Sequence, residues 1–183
     1  MSQRYQRWLT GSHRASADGY EDHLRAARLA RVVPLPELLR TGRRWRECGT
    51  VEFTVPPRED WAAMEPTLRL VAELEATGIL RNARVASAWR NPAFNRCEGG
   101  SEHSRHLVNN ALDFDIDGKG ISVELLCAYW NKHGAARRRL GFYSSDRIHV
   151  DTSGFRTWGH DHQRASSLCT RNAPPMDATA GLR

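Results

Sequence analysis

Apolar residues recur along this chain with two periods, and the switch between them divides it. Over "YEDHLRAARLA", Tyr20, Leu24, Ala27 and Leu29 share roughly one helical face, with Ser16 or Asp18 placed to cap the start. "VPLPELLRTG" predicts a short helix ended by Gly42. "TVEFTV" alternates instead, setting Val51, Phe53 and Val55 on one face of a short edge strand that Pro56 and Pro57 stop. A long helix is predicted from Asp60 to about Thr77, with Met64, Leu68, Val71 and Leu74 at helical spacing, Pro66 in its early turns and Gly78 at its end. "NARVASAWR" is strand-like, with Val85 and Ser87 on one parity, and "NPAFNRCEGGSEHS" is a polar loop. "ALDFDI", "RLGFYS" and "RIHVD" read as further short strands, and "SVELLCAYWNKHG" as a helix capped by Ser122 and closed by Gly134. Residues 1–17 are polar and aperiodic, a loose N-terminal arm; residues 161–183 form an irregular tail, leaving one domain over 18–160. This order of elements predicts an α+β fold, a small antiparallel sheet flanked by helices.

The alternation also sorts chemistry. In "ALDFDI", Leu112, Phe114 and Ile116 take one face, and Asp113 and Asp115 the other. In "RIHVD", Ile148 and Val150 face one way, His149 and Asp151 the other. Two such strands can aim a carboxylate and an imidazole at a common point, and His106, in the turn before the first, can add a second imidazole. Two histidines and one carboxylate with an open fourth position make a recognised catalytic zinc set. Aspartates on the wet face of a strand are also ordinary, and no HExxH helix is present.

The 183 residues suit one domain with arms and are enough to bury a sizeable core, with an apolar share of 40 % slightly below the globular average. The formal net charge of +6 favours an anionic partner. The arginines are scattered and no nucleic-acid motif occurs, so no specific nucleic-acid partner is expected. No run is long and apolar enough to span a membrane, and "MSQRYQRWLTGSHRAS" has no hydrophobic core of a signal peptide. Cys48, Cys97, Cys127 and Cys169 form no CxxC pair; they permit two disulfides in any of three pairings, or four free thiols.

Three blocks in order carry a family resemblance. "SRHLVNNALD", Ser104 to Asp113, resembles the S-x-H-x-x-G-x-A-x-D motif of zinc D-Ala-D-Ala carboxypeptidases, the LAS-type peptidoglycan peptidases. "SAWRNPAFNRCEGG" is similar to that family's S-G-Y-R-S-P segment, and "DRIHVDTSGFRTW" to its closing segment. The resemblance implies Zn²⁺ held by His106, Asp113 and His149, with Asp146 as the catalytic acidic residue and Arg90 binding substrate. It implies a peptidase domain over 18–160 acting on peptidoglycan stem peptides or cross-links, as a D,D-carboxypeptidase or an endopeptidase. The setting would be the bacterial periplasm or cell envelope and the enzyme a monomer. The alternative is an inactive zinc-scaffold module that binds cell-wall peptides.

Two positions depart from the pattern. Asn109 stands where the motif has glycine, and asparagine tolerates left-handed backbone. Asp146 has the opposite strand parity to His149, which leaves Asp151 as a second candidate base. His103, Asp115 and Asp117 are expected to be supporting polar groups, His160 and His162 surface groups, and Trp89 and Trp158 packing residues or sugar platforms.

Overall fold

The computed structural model describes residues 3–10, 12–80, 83–115, 122–133, 138–144 and 147–171. Ile116, Asp117, Gly134 and Asp146 fall outside the described residues. Five strands build one sheet: β1 (Arg84–Ser87), β2 (Ala111–Asp115), β3 (Arg139–Ser144), β4 (Arg147–Asp151) and β5 (Arg156–Trp158), in the order β1-β2-β4-β3-β5. All neighbours are antiparallel except β3 and β5. The helices are α1 (Gln3–Trp8), α2 (Ser12–Ala26), α3 (Leu35–Leu38), α4 (Glu65–Ala76), α5 (Pro92–Cys97), α6 (Val123–His133) and α7 (Leu168–Arg171). The fold is α+β, as the alternation predicted.

One face of the sheet is the core. Leu112 and Phe114 of β2, Ile148 and Val150 of β4, and Leu140 and Phe142 of β3 are buried together with Leu68, Val71 and Leu74 of α4 and Leu126 of α6. Burying these side chains is the main source of stability, at roughly 1.5–3 kcal/mol for each large apolar group. Pro66 occupies the first turn of α4, where its missing N–H costs nothing, and Arg58–Met64 ahead of it wind as a 3₁₀ helix.

Several expected elements differ. The N-terminal arm is not loose: α1 is helical, and Tyr5 is buried edge-on against Phe53 with ring centroids 5.3 Å apart. A helix of six residues is too short to display a period. Residues 51–55 make no strand; Phe53 forms a single bridge with Arg40, and Val51 is exposed. The polar loop after β1 contains α5, begun by Asn91, whose side chain accepts from Phe94 N at 2.8 Å, with Pro92 following. β5 is three residues long and adds in parallel to the edge of β3.

Disulfides join Cys48 to Cys97 and Cys127 to Cys169. The second fixes α7 to α6, so the expected irregular tail is held in place at least to Cys169.

The turn before β2 is built by its asparagine pair. Asn109 adopts left-handed backbone, φ 51 and ψ 42, and is buried. Its Nδ2 donates to Asp60 O at 3.0 Å and to the Tyr20 hydroxyl at 3.4 Å. Asn110 Nδ2 donates to Ala63 O at 2.8 Å. The pair therefore stitches the turn to α2 and to the 3₁₀ helix, contacts that a glycine cannot make.

Two outcomes follow for stability. Loop closure over 49 and 42 residues implies about 4 kcal/mol from each disulfide. Urea unfolding of a Cys127→Ala/Cys169→Ala variant will show a loss of that order; an unchanged midpoint would refute the bond. Asn109→Ala will cost about 2–3 kcal/mol through lost hydrogen bonds and left-handed strain, and Asn109→Gly about 1 kcal/mol less. Equal losses in the same urea assay would show that backbone conformation is not limiting.

Candidate active site

On the face opposite the core, strand register lines up one row of residues. Ser87 of β1 pairs with Asp113 of β2, Asp113 with His149 of β4, His149 with Gly141 of β3, and Gly141 with Trp158 of β5. Gly141 is required here, because a Cβ would lie 2.4 Å from the Trp158 indole. The indole thus crosses β3 and reaches His149, ring centroids 5.2 Å apart.

His106 joins from the 3₁₀ turn Arg105–Val108 and is fully buried. Its Nε2 lies 3.1 Å from Asp113 Oδ1, and His149 Nδ1 lies 2.9 Å from the same oxygen. The three ligand atoms sit within 4.8 Å of one another.

The outer nitrogen of each ring has an acceptor. His106 Nδ1 donates to Ala88 O at 2.5 Å. His149 Nε2 donates to Asp151 Oδ2 at 3.0 Å, and Asp151 Oδ1 accepts from Ser153 N at 2.8 Å and Ser153 Oγ at 2.5 Å. Such partners set the tautomer and turn the other ring nitrogen inward.

Charge follows from this packing. Burial, with the Arg90 cation, pulls the His106 pKa down to about 4, against the pull of Asp113. Burial opposes charge on His149 too, but hydrogen bonds to Asp113 and Asp151 prevail and raise it to about 8. Burial likewise opposes the Asp113 carboxylate, yet His106 and Arg90 hold its pKa well below the usual range. A neutral His106 that donates from Nδ1 presents a lone pair at Nε2, facing a carboxylate oxygen. Two acceptors in that position call for a cation between them, and the donor set of two imidazole nitrogens and one carboxylate oxygen suits zinc.

The surroundings show what else these side chains hold. Arg90 is buried; its Nη2 bonds Asp113 Oδ2, its Nε donates to Ser87 Oγ at 2.7 Å, and its backbone N–H donates to His106 O at 3.0 Å. It braces the carboxylate, beneath a cavity of about 580 Å³ that it also helps to line. Asp151, the second candidate base, has both oxygens engaged and orients His149 instead. Asp115 pairs with Arg43 and Arg147. Trp89 Nε1 donates to Leu107 O at 3.2 Å and supports the His106 turn. Trp158, His103 and His162 line the cavity, and His103, His160 and His162 are all exposed.

Tyr143 was not singled out by sequence reading. Its hydroxyl lies 3.2 Å from His149 Nδ1, and burial, with the negative charge of Asp113, raises its pKa above the usual range, so it stays protonated. Its parity with Gly141 along β3 was the available signal, hidden because a lone tyrosine in an apolar strand reads as core.

No curated protein matches the chain. A family model described as Peptidase M15 matches residues 46–151, which cover more than half of the chain and all of His106, Asp113 and His149. The chain therefore belongs to the peptidase M15 family, zinc metallopeptidases of the D-Ala-D-Ala carboxypeptidase type, and its cofactor is zinc.

Proposed function

We propose that this metallopeptidase hydrolyses a peptide bond of the peptidoglycan stem or its cross-link, as a D,D-carboxypeptidase or an endopeptidase, in the bacterial periplasm or cell envelope. The observation that carries the proposal is the convergence of His106 Nε2, Asp113 Oδ1 and His149 Nδ1 at the wall of an open, arginine-lined cavity. The two disulfides support an oxidising compartment, and the net charge of +6 supports an anionic polymer as substrate.

His106, Asp113 and His149 would hold the ion. Zinc bound there would supply Lewis acidity toward a substrate carbonyl and a water. Ala88 O and Asp151 keep the imidazoles aimed, and Arg90 keeps Asp113 ionised and in place. Arg90 Nη1, not engaged by Asp113 or Ser87, is the guanidinium group offered to a substrate oxygen. Asp146 immediately precedes Arg147, which lines the cavity; it takes the proton from the attacking water and returns it to the leaving amine. The protonated Tyr143 hydroxyl offers a hydrogen bond to the carbonyl oxygen as charge develops.

Incubation of the zinc-loaded protein with purified peptidoglycan, followed by mass analysis, will reveal released D-alanine or separated cross-links. His106→Ala and His149→Ala will lose both zinc and hydrolysis; full retention of both would end the assignment. Zinc retained with no cleavage would favour the binding module instead. Asp146→Asn will lower kcat by roughly 10²–10⁴ with zinc content unchanged. Asp151→Asn will weaken zinc binding by roughly 10–100-fold, as loss of a partner behind a metal ligand does. The reverse pattern, measured by metal titration and kinetics, would exchange the two roles.

A further inference from the structure

The cavity beside the metal ligands has two cationic positions that the peptidase reading leaves unused. Alternation along β4 places Arg147, His149 and Asp151 on one face, and Arg139 of β3 lies across from Asp151. Arg147 and Arg139 therefore stand on opposite sides of His149 along the sheet, each about 7 Å away at ~3.4 Å per residue. Both line the cavity.

Neither guanidinium Nε makes a hydrogen bond among the described residues, and each has only a long ion pair. These two nitrogens are buried. The nearest carboxylates are 4.0 Å from Arg139, at Asp151, and 3.6 Å from Arg147, at Asp115. Both acids are already committed, Asp151 to His149 and Ser153, and Asp115 to Arg43. Arg156 stands beside Arg139 in register and adds positive charge at the rim. Arginines that line a cavity and make no hydrogen bond at Nε suit anionic acceptors, which their outer guanidinium nitrogens can reach.

We infer that the substrate carries a carboxylate on each side of the scissile bond, one received by Arg139 and the other by Arg147. A peptide whose only anion is its terminal carboxylate satisfies one position. The second requires a side-chain carboxylate within about four extended residues, given the ~14 Å between the two positions along β4. The inference rests on the peptidase reading for the place of the bond, and it specifies the substrate class: an acidic stem peptide with that side chain free, not amidated.

The test uses the full zinc-loaded chain and three short acetylated peptides ending in D-Ala-D-Ala. One has a free side-chain carboxylate before the scissile bond and a free C-terminus; the second has that side chain as carboxamide; the third has the C-terminus as amide. Calorimetric Kd and kcat/KM are measured for each, at fixed low salt. Each neutralisation is expected to weaken binding about tenfold or more, the scale of a charge-assisted hydrogen bond. Arg147→Gln should become indifferent to one of the two neutralisations and Arg139→Gln to the other, with zinc content unchanged in both. Equal affinity for all three peptides would overturn the inference, as would variants that keep full discrimination or the absence of any binding. Equal cleavage of all three would overturn the anion positions and leave the peptidase reading standing. Discrimination in binding with no cleavage would support the anion positions and overturn the D,D-carboxypeptidase reading.

Discussion

The structure depends on one carboxylate oxygen faced by two imidazole nitrogens. Asp113 Oδ1 lies 3.1 Å from His106 Nε2 and 2.9 Å from His149 Nδ1, all in residues with almost no solvent exposure. Water cannot solvate this cluster, so its charge must be balanced locally. Within the chain that balance comes from Arg90 on the second carboxylate oxygen, and the hydrogen bonds to Asp113 and Asp151 favour a proton on His149. Leaving an acceptor pair buried and unpaired costs several kcal/mol, which makes the cluster a strong receptor for a divalent cation.

Much of the fold serves to hold that cluster. The sheet supplies Asp113 and His149 from adjacent strands in direct register, while its other face is anchored by Leu112, Phe114, Ile148 and Val150. A slip of one residue would put the ligands into the core. His106 comes from outside the sheet and depends on a turn fixed by three side-chain bonds from Asn109 and Asn110. Gly141 lets the Trp158 indole cross the sheet and wall the site. Each of these devices acts on position, not on chemistry.

The proposed ligand set was legible in part because the positions of Asp113 and His149 follow from strand parity. Asp113 and His149 alternate with large apolar neighbours, and period two leaves them no other face. The Asn109 turn was legible for a related reason, since few residues other than glycine and asparagine accept φ near 51. The purpose of its side chain was not, because Asp60 O and Tyr20 are distant in sequence. The same limit hid the bracing contact that Arg90 makes with Asp113. Nothing local distinguishes an arginine that binds a ligand from one that braces a ligand's carboxylate. Short elements escaped too: α1 and β5 take their stability from Phe53 and β3 respectively, not from their own pattern.

The central claim is the identity of the metal ligands, and the most direct measurement is a crystal structure of the zinc-loaded protein with anomalous data at the zinc edge. The account predicts a single strong peak about 2.0–2.2 Å from His106 Nε2, Asp113 Oδ1 and His149 Nδ1. A peak bound instead near His160 and His162, with these three atoms still bonded to one another, would contradict it.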